Sequence, residues 1–173
     1  MSPRRQRLTT LVLMGVAGSG KSSVMAALAA RLGWPALEGD ALHPPANLAK
    51  MAAGVALNDA DRAPWLAAIG QWIDEREAER RSSVVTCSAL RRAYRDTLRA
   101  GRPSVWFVHL AASREVLASR MTHRDGHFMP ASLLDSQLAT LEPLGADEPG
   151  STIEAIAPPD ELADRLVAAL RLG

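Results

Sequence analysis

Residues 15–22, with the sequence GVAGSGKS, constrain the fold of this chain more than any other segment, because they match the phosphate-binding pattern G-x-x-x-x-G-K-[ST]. Glycine can adopt a positive φ angle, so the loop can turn its backbone N–H groups toward a phosphate. Lys21 supplies a positive charge for the β- and γ-phosphates, and the Ser22 hydroxyl suits Mg²⁺ as a ligand. The predicted nucleotide-binding residues are Gly15, Val16, Ala17, Gly18, Ser19, Gly20, Lys21, Ser22 and Ser23.

The segments on either side of this loop have the character that the pattern requires. Leu8–Met14 is an apolar run typical of a buried strand. After the loop, apolar residues recur at helical spacing until Gly33, where a helix is expected to end. A strand, a glycine-rich loop and a helix in this order predict a site for a nucleoside triphosphate rather than a chance glycine-rich turn.

The rest of the chain alternates between strand-like and helix-like segments. Further strands are predicted over 34–38, 83–87, 105–110 and 152–156, and further helices over 44–53, 58–81, 91–99, 113–121, 132–141 and 158–170. This alternation predicts an α/β fold in which helices cover both faces of a parallel sheet. No internal repeat or linker divides the 173 residues, so a single domain is expected.

Composition narrows the classes of function. The net charge of +1 gives no electrostatic footprint for nucleic acid or an anionic membrane, so neither partner is expected. The single cysteine, Cys87, excludes an internal disulfide and fits a reducing compartment, which predicts a cytoplasmic location. The apolar run after the basic segment Pro3–Arg7 is interrupted at Gly15, and we expect it to be too short for export or for spanning a membrane.

Asp40 is the first candidate for chemistry outside the loop. It follows a short predicted strand and Gly39, so we expect it at the carboxyl end of the sheet, where ligands bind in such folds. The predicted strand ending at Cys87 lacks a terminal aspartate, which leaves Asp40 as the nearest candidate for contact with the metal, through a bound water. His43 lies three residues further on. No N-K-x-D motif is present, which argues against a guanine-specific switch.

Several motifs along the chain together resemble one family. They are Gly39-Asp40-Ala41-Leu42-His43-Pro44, Asn47, Lys50-Met51, Gly54, Asn58-Asp59-Ala60-Asp61-Arg62-Ala63-Pro64-Trp65-Leu66, Cys87-Ser88-Ala89-Leu90, Tyr94-Arg95-Asp96, Gly126-His127-Phe128-Met129, and Ser136-Gln137 with Leu141-Glu142-Pro143-Leu144. With the phosphate-binding loop, they make the chain closely similar to the small gluconokinases of the shikimate- and adenylate-kinase-like group. The resemblance covers nearly the whole chain.

The resemblance implies a P-loop NTPase three-layer sandwich with a five-stranded parallel sheet and a mobile lid near residues 120–130, from Thr122 to Pro130 with its flanks. It implies phosphorylation of D-gluconate at the 6-hydroxyl with MgATP, and it suggests a homodimer. Lys21, Asp40, Arg120 and Arg124 are the catalytic residues expected on this basis. The expected substrate-binding residues are Asp40, His43, Lys50, Arg62, Ser88, Arg95, His127 and Gln137.

Most of these residues have a specific expected role. Asp40 orients the attacking hydroxyl and accepts its proton. His43, Ser88 and Gln137 suit the polyol chain, whose hydroxyls both donate and accept hydrogen bonds. Arg62 and Arg95 are the candidates for the carboxylate, which a guanidinium can bind with two hydrogen bonds. Arg120 and Arg124 approach with the lid and stabilise the charge on the transferred group.

Two alternatives remain open from the sequence. The same scaffold could phosphorylate another small polyol or hydroxy acid, as a shikimate kinase does. A protein of a different class, a nucleotide-dependent switch that acts on a partner protein, could carry the same loop. A kinase releases ADP only when an acceptor is present, whereas a switch hydrolyses its nucleotide slowly without one.

Overall fold

A five-stranded parallel sheet forms the centre of the fold in the computed structural model, which describes residues 7–122 and 131–173. The strands are β1 (Thr10–Met14), β2 (Ala36–Glu38), β3 (Ser83–Thr86), β4 (Val105–Ala111) and β5 (Gly150–Glu154). Their order is β2-β3-β1-β4-β5, and every neighbouring pair is parallel. β1 is central, with β3 and β2 on one side and β4 and β5 on the other, so the crevice at the carboxyl end of β1 is where a ligand is expected in such a sheet.

Helices lie on both faces of this sheet. They are α1 (Lys21–Leu32), α2 (Pro45–Ala52), α3 (Asp59–Ala78), α4 (Arg92–Arg99), α5 (Arg114–Thr122), α6 (Ala131–Thr140) and α7 (Pro159–Leu170). Alternate residues of β1 face opposite layers: Val12 packs with Ile69 of α3, whereas Leu13 packs with Leu28 of α1. The prediction of a three-layer α/β fold with a five-stranded parallel sheet is therefore confirmed.

The segment after β2 has a structure for which the sequence pattern made no prediction. Gly39–Leu42 forms a short 3₁₀ helix, which hydrophobic periodicity cannot reveal in only four residues. α3 begins as its sequence predicts, because the Asn58 side chain accepts from the Asp61 N–H while the Asp61 carboxylate accepts from the Asn58 N–H. This capping box fixes the start of α3 next to the 3₁₀ helix.

The last strand begins two residues earlier than predicted, at Gly150 instead of Thr152. Gly150 pairs with Phe107 of β4, and a Cβ atom at this position would lie 2.6 Å from the Phe107 carbonyl oxygen. Ile156, the predicted end of the strand, lies beyond it and is exposed. The apolar pattern therefore placed the strand too late, because its first residue is a glycine that allows a close backbone approach.

Within the described residues, no helix has the length and apolar character needed to cross a membrane. The structure does not test the predicted lid segment. Residues 123–130 lie outside the part of the chain that the structure describes, so the lid stays a prediction.

Candidate active site

The phosphate-binding loop connects β1 to α1 with three glycines at positive φ. The φ angles are 147° at Gly15, 80° at Gly18 and 93° at Gly20. A Cβ atom at Gly15 would lie 2.9 Å from both the Leu110 carbonyl oxygen and the Ser19 hydroxyl oxygen. The loop therefore requires glycine at Gly15 for its conformation and for the close approach of β4.

The polar groups of this loop are arranged for an anion. The Lys21 ammonium donates to the carbonyl oxygens of Gly15 and Val16, at 2.9 and 3.0 Å, so it lies over the loop. α1 begins without a side-chain cap from any described residue, and its first turn contains no acidic side chain. Its N-terminal N–H groups and positive dipole end are thus available to a phosphate. The buried Ser19 hydroxyl has no hydrogen-bond partner among the described residues, which fits a loop that a bound anion completes.

Two side chains from later in the chain contact the loop. The Gln137 side-chain oxygen accepts a hydrogen bond from the Ala17 N–H at 2.7 Å. The Arg120 guanidinium donates to the carbonyl oxygens of Gly18 and Ser19, at 3.3 and 3.4 Å. The structure places the side-chain oxygen of Gln137 on the loop, and its predicted contact with the polyol stays a prediction. Arg120 lies beside the loop, as its predicted role requires.

Arg120 also donates to the Ala155 carbonyl oxygen, which brings the segment after β5 to the edge of the nucleotide site. This contact was not predicted from the sequence. Pro158 is extended and Pro159 begins α7, so the prolines signalled the start of this helix but not the contact with Arg120.

Asp40 lies in the 3₁₀ helix at the carboxyl end of β2, where it was predicted. A Cβ atom at Gly39 would lie 2.0 Å from the Thr86 carbonyl oxygen, so only glycine fits between β2 and β3. The Gly39 carbonyl oxygen accepts from the Trp65 indole N–H at 2.8 Å, and the Gly39 N–H donates to the Thr86 hydroxyl at 3.2 Å. With its backbone anchored in this way, Asp40 keeps its side chain 83% exposed.

His43 is buried beside Asp40. Its ring stacks on Trp65, with 4.2 Å between the ring centroids and 16° between the planes. Its Nε2 atom lies 3.8 Å from Oδ1 of Asp40. Burial lowers the pKa of His43 below its ordinary value, the positive charge of Arg62 adds to this effect, and Asp40 opposes it. His43 is therefore neutral near pH 7.

Arg62 and Lys50 form a basic rim around this side of the crevice. Arg62 donates to the Tyr94 hydroxyl at 3.1 Å, and its guanidinium lies 5.3 Å from the centroid of the Tyr94 ring. The Tyr94 hydroxyl donates in turn to Asp59 at 2.6 Å. Lys50 donates to Asp61 at 2.7 Å, and this hydrogen bond is the main cause that lowers the pKa of the Asp61 carboxyl. Both cations are only partly buried, so both can exchange partners for a ligand.

Arg95 corrects one prediction. Its side chain is fully buried, and it forms a two-pronged ion pair with Glu148 at 2.7 and 3.0 Å. Its remaining N–H groups donate to the carbonyl oxygens of Ala89, Leu90 and Pro143. A guanidinium has five donors, and all five are used. The prediction that Arg95 binds the substrate carboxylate is therefore contradicted by its geometry.

Three predicted site residues remain, and the structure describes only Ser88 among them. Ser88 follows β3, is partly buried, and accepts a backbone hydrogen bond from the Gly15 N–H at 3.2 Å, which places it between the loop and α4. Arg124 and His127 lie outside the described residues, and their roles stay predictions.

The donor set fits magnesium that arrives with a nucleotide. Within the described residues, no group of three or more His, Cys, Asp or Glu side chains could hold a metal by itself. Ser22 is exposed in the first turn of α1, and Asp40 is an exposed carboxylate. Mg²⁺ commonly keeps several waters and binds through one or two protein oxygens and the substrate phosphates, so these residues suit it.

A phosphate-binding loop at the switch point of a parallel sheet, facing an exposed aspartate and a basic rim, defines a P-loop kinase. Comparison with known proteins agrees. The family model described as AAA domain matches residues 11–144. The gluconokinase of Gluconobacter oxydans (strain 621H) is 52% identical over 157 residues, which cover 91% of this chain and 88% of that protein.

Solved structures extend the comparison to three dimensions. A sugar kinase from Janibacter sp. HTCC2649, in unliganded form, has a TM-score of 0.89 and 47% identity, covering 96% of each chain. A gluconokinase from Sinorhizobium meliloti 1021 has a TM-score of 0.85 and 50% identity, covering 96% of this chain and 94% of that one. The chain belongs to the gluconokinase family.

Proposed function

We propose that this protein transfers the γ-phosphoryl group of MgATP to the 6-hydroxyl of D-gluconate, giving 6-phospho-D-gluconate in carbohydrate catabolism. The observation that carries the proposal is the 52% identity to the Gluconobacter oxydans gluconokinase over most of both chains. The site supports it, because Asp40 and the basic rim lie on the acceptor side of an intact phosphate-binding loop.

The donor side of the reaction requires positioning and charge neutralisation rather than covalent chemistry. Lys21 leaves its carbonyl partners for the β- and γ-phosphate oxygens, and the N–H groups at the start of α1 bind the same phosphates. Ser22 is the protein ligand for Mg²⁺, which neutralises phosphate charge when bound. Arg120 already lies on the loop and stabilises charge near the transferred group.

Asp40 performs the acceptor chemistry in this proposal. Its carboxylate accepts a hydrogen bond from the 6-hydroxyl, orients the oxygen toward the γ-phosphorus, and takes the proton as the O–P bond forms. The bond between the γ-phosphorus and the bridging oxygen breaks, and ADP leaves with that electron pair. The anchored backbone of Gly39 keeps Asp40 in place while its side chain stays accessible.

The basic rim recognises the other end of gluconate. Arg62 can exchange the Tyr94 hydroxyl for the substrate carboxylate, which it can bind with two hydrogen bonds. Lys50 adds a second positive charge at the rim. Ser88 lies between the loop and α4 and suits the hydroxyls of the polyol chain, whereas the two ring nitrogens of the buried His43 face Asn47 and Asp40.

Phosphoryl transfer to a panel of acceptors tests this function. We expect ADP release with MgATP and D-gluconate, a phosphomonoester product by ³¹P NMR, and hardly any turnover with glucose or shikimate. Glucose lacks the carboxylate, so it cannot form the charge-assisted pair with Arg62 that gluconate can form. Lys21→Ala, with unchanged circular dichroism, is the control for activity that depends on the loop. Comparable catalytic efficiency on glucose and gluconate would contradict the proposal, and ADP release without an acceptor would favour a switch.

Asp40→Asn tests the proposed base. The amide keeps the size of the side chain but loses the charge and the basicity, so kcat should fall about 100-fold or more while KM for gluconate changes little. Thermal unfolding serves as the control for stability. An unchanged kcat in a stably folded variant would remove Asp40 from the mechanism.

Two expectations stay predictions on this view. The cytoplasmic location rests on the single cysteine, and the homodimer rests on the family resemblance. Analytical ultracentrifugation at micromolar concentration checks the second, because a dimer has twice the mass of the 18.5 kDa chain.

A further inference from the structure

Asn47 of α2 is a buried polar residue next to the acceptor site, and no role has yet been given to it. Its side chain is almost fully enclosed, with 3% of the residue exposed. Its amide nitrogen lies 2.8 Å from the Asp61 carbonyl oxygen and 3.2 Å from Nδ1 of His43. One amide group thus joins the start of α3 to the histidine beside Asp40.

The orientation of this amide follows from its neighbours. A backbone carbonyl oxygen only accepts hydrogen bonds, so the Asn47 atom next to the Asp61 oxygen must be the NH₂ group. The reverse orientation would place two oxygen acceptors together in a buried site, with the penalty of two unsatisfied groups. The NH₂ group has a second hydrogen, which is directed at Nδ1 of His43.

The amide therefore determines where His43 carries its proton. Nδ1 must be the acceptor, so the neutral imidazole has its hydrogen on Nε2. The ring cannot turn over easily, because it is buried and stacks on Trp65 at 4.2 Å. Its Nε2–H is the group on the side of Asp40, with 3.8 Å between Nε2 and Oδ1.

We propose that Asn47 is a positioning residue that holds His43 in the Nε2–H form, so that this N–H is directed at the Asp40 carboxylate. The proposal rests on the role of Asp40 proposed above. An N–H that faces one carboxylate oxygen across 3.8 Å stabilises the ionised form electrostatically, and when that distance shortens in the ternary complex it orients the other oxygen toward the substrate hydroxyl. In the opposite tautomer, a nitrogen lone pair would face the carboxylate and repel it.

The proton balance of the reaction is unchanged by this role. His43 keeps its Nε2 hydrogen throughout, and the proton of the attacking hydroxyl moves to Asp40 alone. His43 is therefore a hydrogen-bond donor and not a second base. This distinction is open to measurement, because a base needs the tautomer that Asn47 excludes.

The tautomer can be observed in the wild-type protein without any substrate. In ¹⁵N-labelled protein at pH 7.5, two-bond ¹H–¹⁵N spectra distinguish a protonated ring nitrogen from an unprotonated one. The chain has four histidines, and the signal that disappears in His43→Gln identifies His43. We expect an unprotonated Nδ1 and a protonated Nε2. A protonated Nδ1, in either the neutral or the charged ring, would overturn the proposal.

Two variants then test whether the tautomer matters for the rate. Asn47→Asp keeps the shape but can only accept, so it favours a proton on Nδ1, whereas Asn47→Ala removes the donor and imposes no tautomer. We expect kcat to fall about 10- to 100-fold in Asn47→Asp, and less in Asn47→Ala, with KM for ATP unchanged. Equal losses, or a greater loss in Asn47→Ala, would show a packing role only and would overturn the proposal.

The outcomes separate this inference from the proposed function. The tautomer of His43 is measured in the unliganded protein, so it holds or fails whatever the substrate is. Gluconate turnover by the wild-type protein tests the function alone. Chemical denaturation of both Asn47 variants shows whether a change in kcat reflects a loss of folded protein.

Discussion

Arg62 and Arg95 look equivalent in the sequence, because each is an arginine in a predicted helix and each is a candidate for binding the substrate carboxylate. The structure places them in opposite environments. Arg62 lies on the rim, with its guanidinium at 3.1 Å from the Tyr94 hydroxyl and 3.8 Å from Asp59. Arg95 is fully enclosed and paired with Glu148. One cation faces the crevice, and the other lies inside the fold.

This difference shows how burial decides what a charge can do. A buried guanidinium must have all its donors satisfied, since desolvation of an unpaired charge costs several kcal/mol. A substrate could bind Arg95 only by leaving Glu148 buried and unpaired. Arg62 is partly solvated, so a carboxylate can replace the Tyr94 hydroxyl at little cost. The buried pair therefore stabilises the fold, and the rim arginine is the one suited to recognition.

The largest expected effect is on stability, from Arg95→Met. Removing one member of a buried ion pair leaves Glu148 uncompensated, so the free energy of unfolding should fall by about 3–5 kcal/mol. Urea denaturation followed by circular dichroism measures this loss. The double variant Arg95→Met/Glu148→Leu should recover part of it, because no charge then remains buried. Wild-type stability with a raised KM for gluconate would instead return Arg95 to the substrate site.

Arg62→Ala should affect catalysis and not stability. We expect kcat/KM for gluconate to fall about 10- to 100-fold, from the loss of a charge-assisted hydrogen bond, with unfolding free energy changed by less than about 1 kcal/mol. Arg76→Ala is the matched control on the same helix, because Arg76 likewise lies 5.3 Å from an aromatic ring, that of Trp72, but belongs to no part of the site. A similar loss in both variants would indicate a general effect on α3.

The acid dependence of stability provides a second test of the stabilising role of the buried Arg95–Glu148 ion pair. The hydrogen bond from Arg95 is the main cause that lowers the pKa of Glu148 below its ordinary value of 4.5. The unfolded chain therefore binds a proton at Glu148 before the folded one does as the pH falls. The stabilisation from this group is complete above pH 4.5 and is lost as the pH falls through the lower folded pKa.

Glu148→Gln makes this dependence measurable. The variant lacks the titrating group, so the stability difference from the wild type should be greatest above pH 4.5 and should shrink as the pH is lowered. Denaturant midpoints between pH 3 and pH 7 provide the test. A difference that is constant over this range would show that the ionisation of Glu148 does not contribute.

Lys50→Met should give the smallest effect. Its ion pair with Asp61 is partly exposed, so the unfolding free energy should fall by about 0.5 kcal/mol or less. KM for gluconate should rise less than in Arg62→Ala, because an ammonium forms a point contact and not the planar pair of a guanidinium. A larger rise in KM for Lys50→Met would make Lys50 the main carboxylate ligand.

The sequence alone determined the phosphate-binding loop and the order of the elements. The loop depends on local properties: the glycines of residues 15–20 allow positive φ angles, and Lys21 and Ser22 follow at fixed spacing. Strands and helices were predictable because apolar residues repeat with periods that belong to the individual element. The start of β5 was predicted two residues too late, because a close contact with β4 and not a local pattern sets where this strand begins.

Only the tertiary structure decided the roles of the other polar residues. Glu148, the partner of Arg95, lies 53 residues away in the chain, and the contact between Gln137 and Ala17 spans 120 residues. Asn47 was one of the residues that carry the family resemblance but had no predicted role, and the role proposed for it depends on the Asp61 carbonyl and His43 meeting around it. Burial and hydrogen bonding depend on which distant elements pack together, and no periodicity within a single element carries that information.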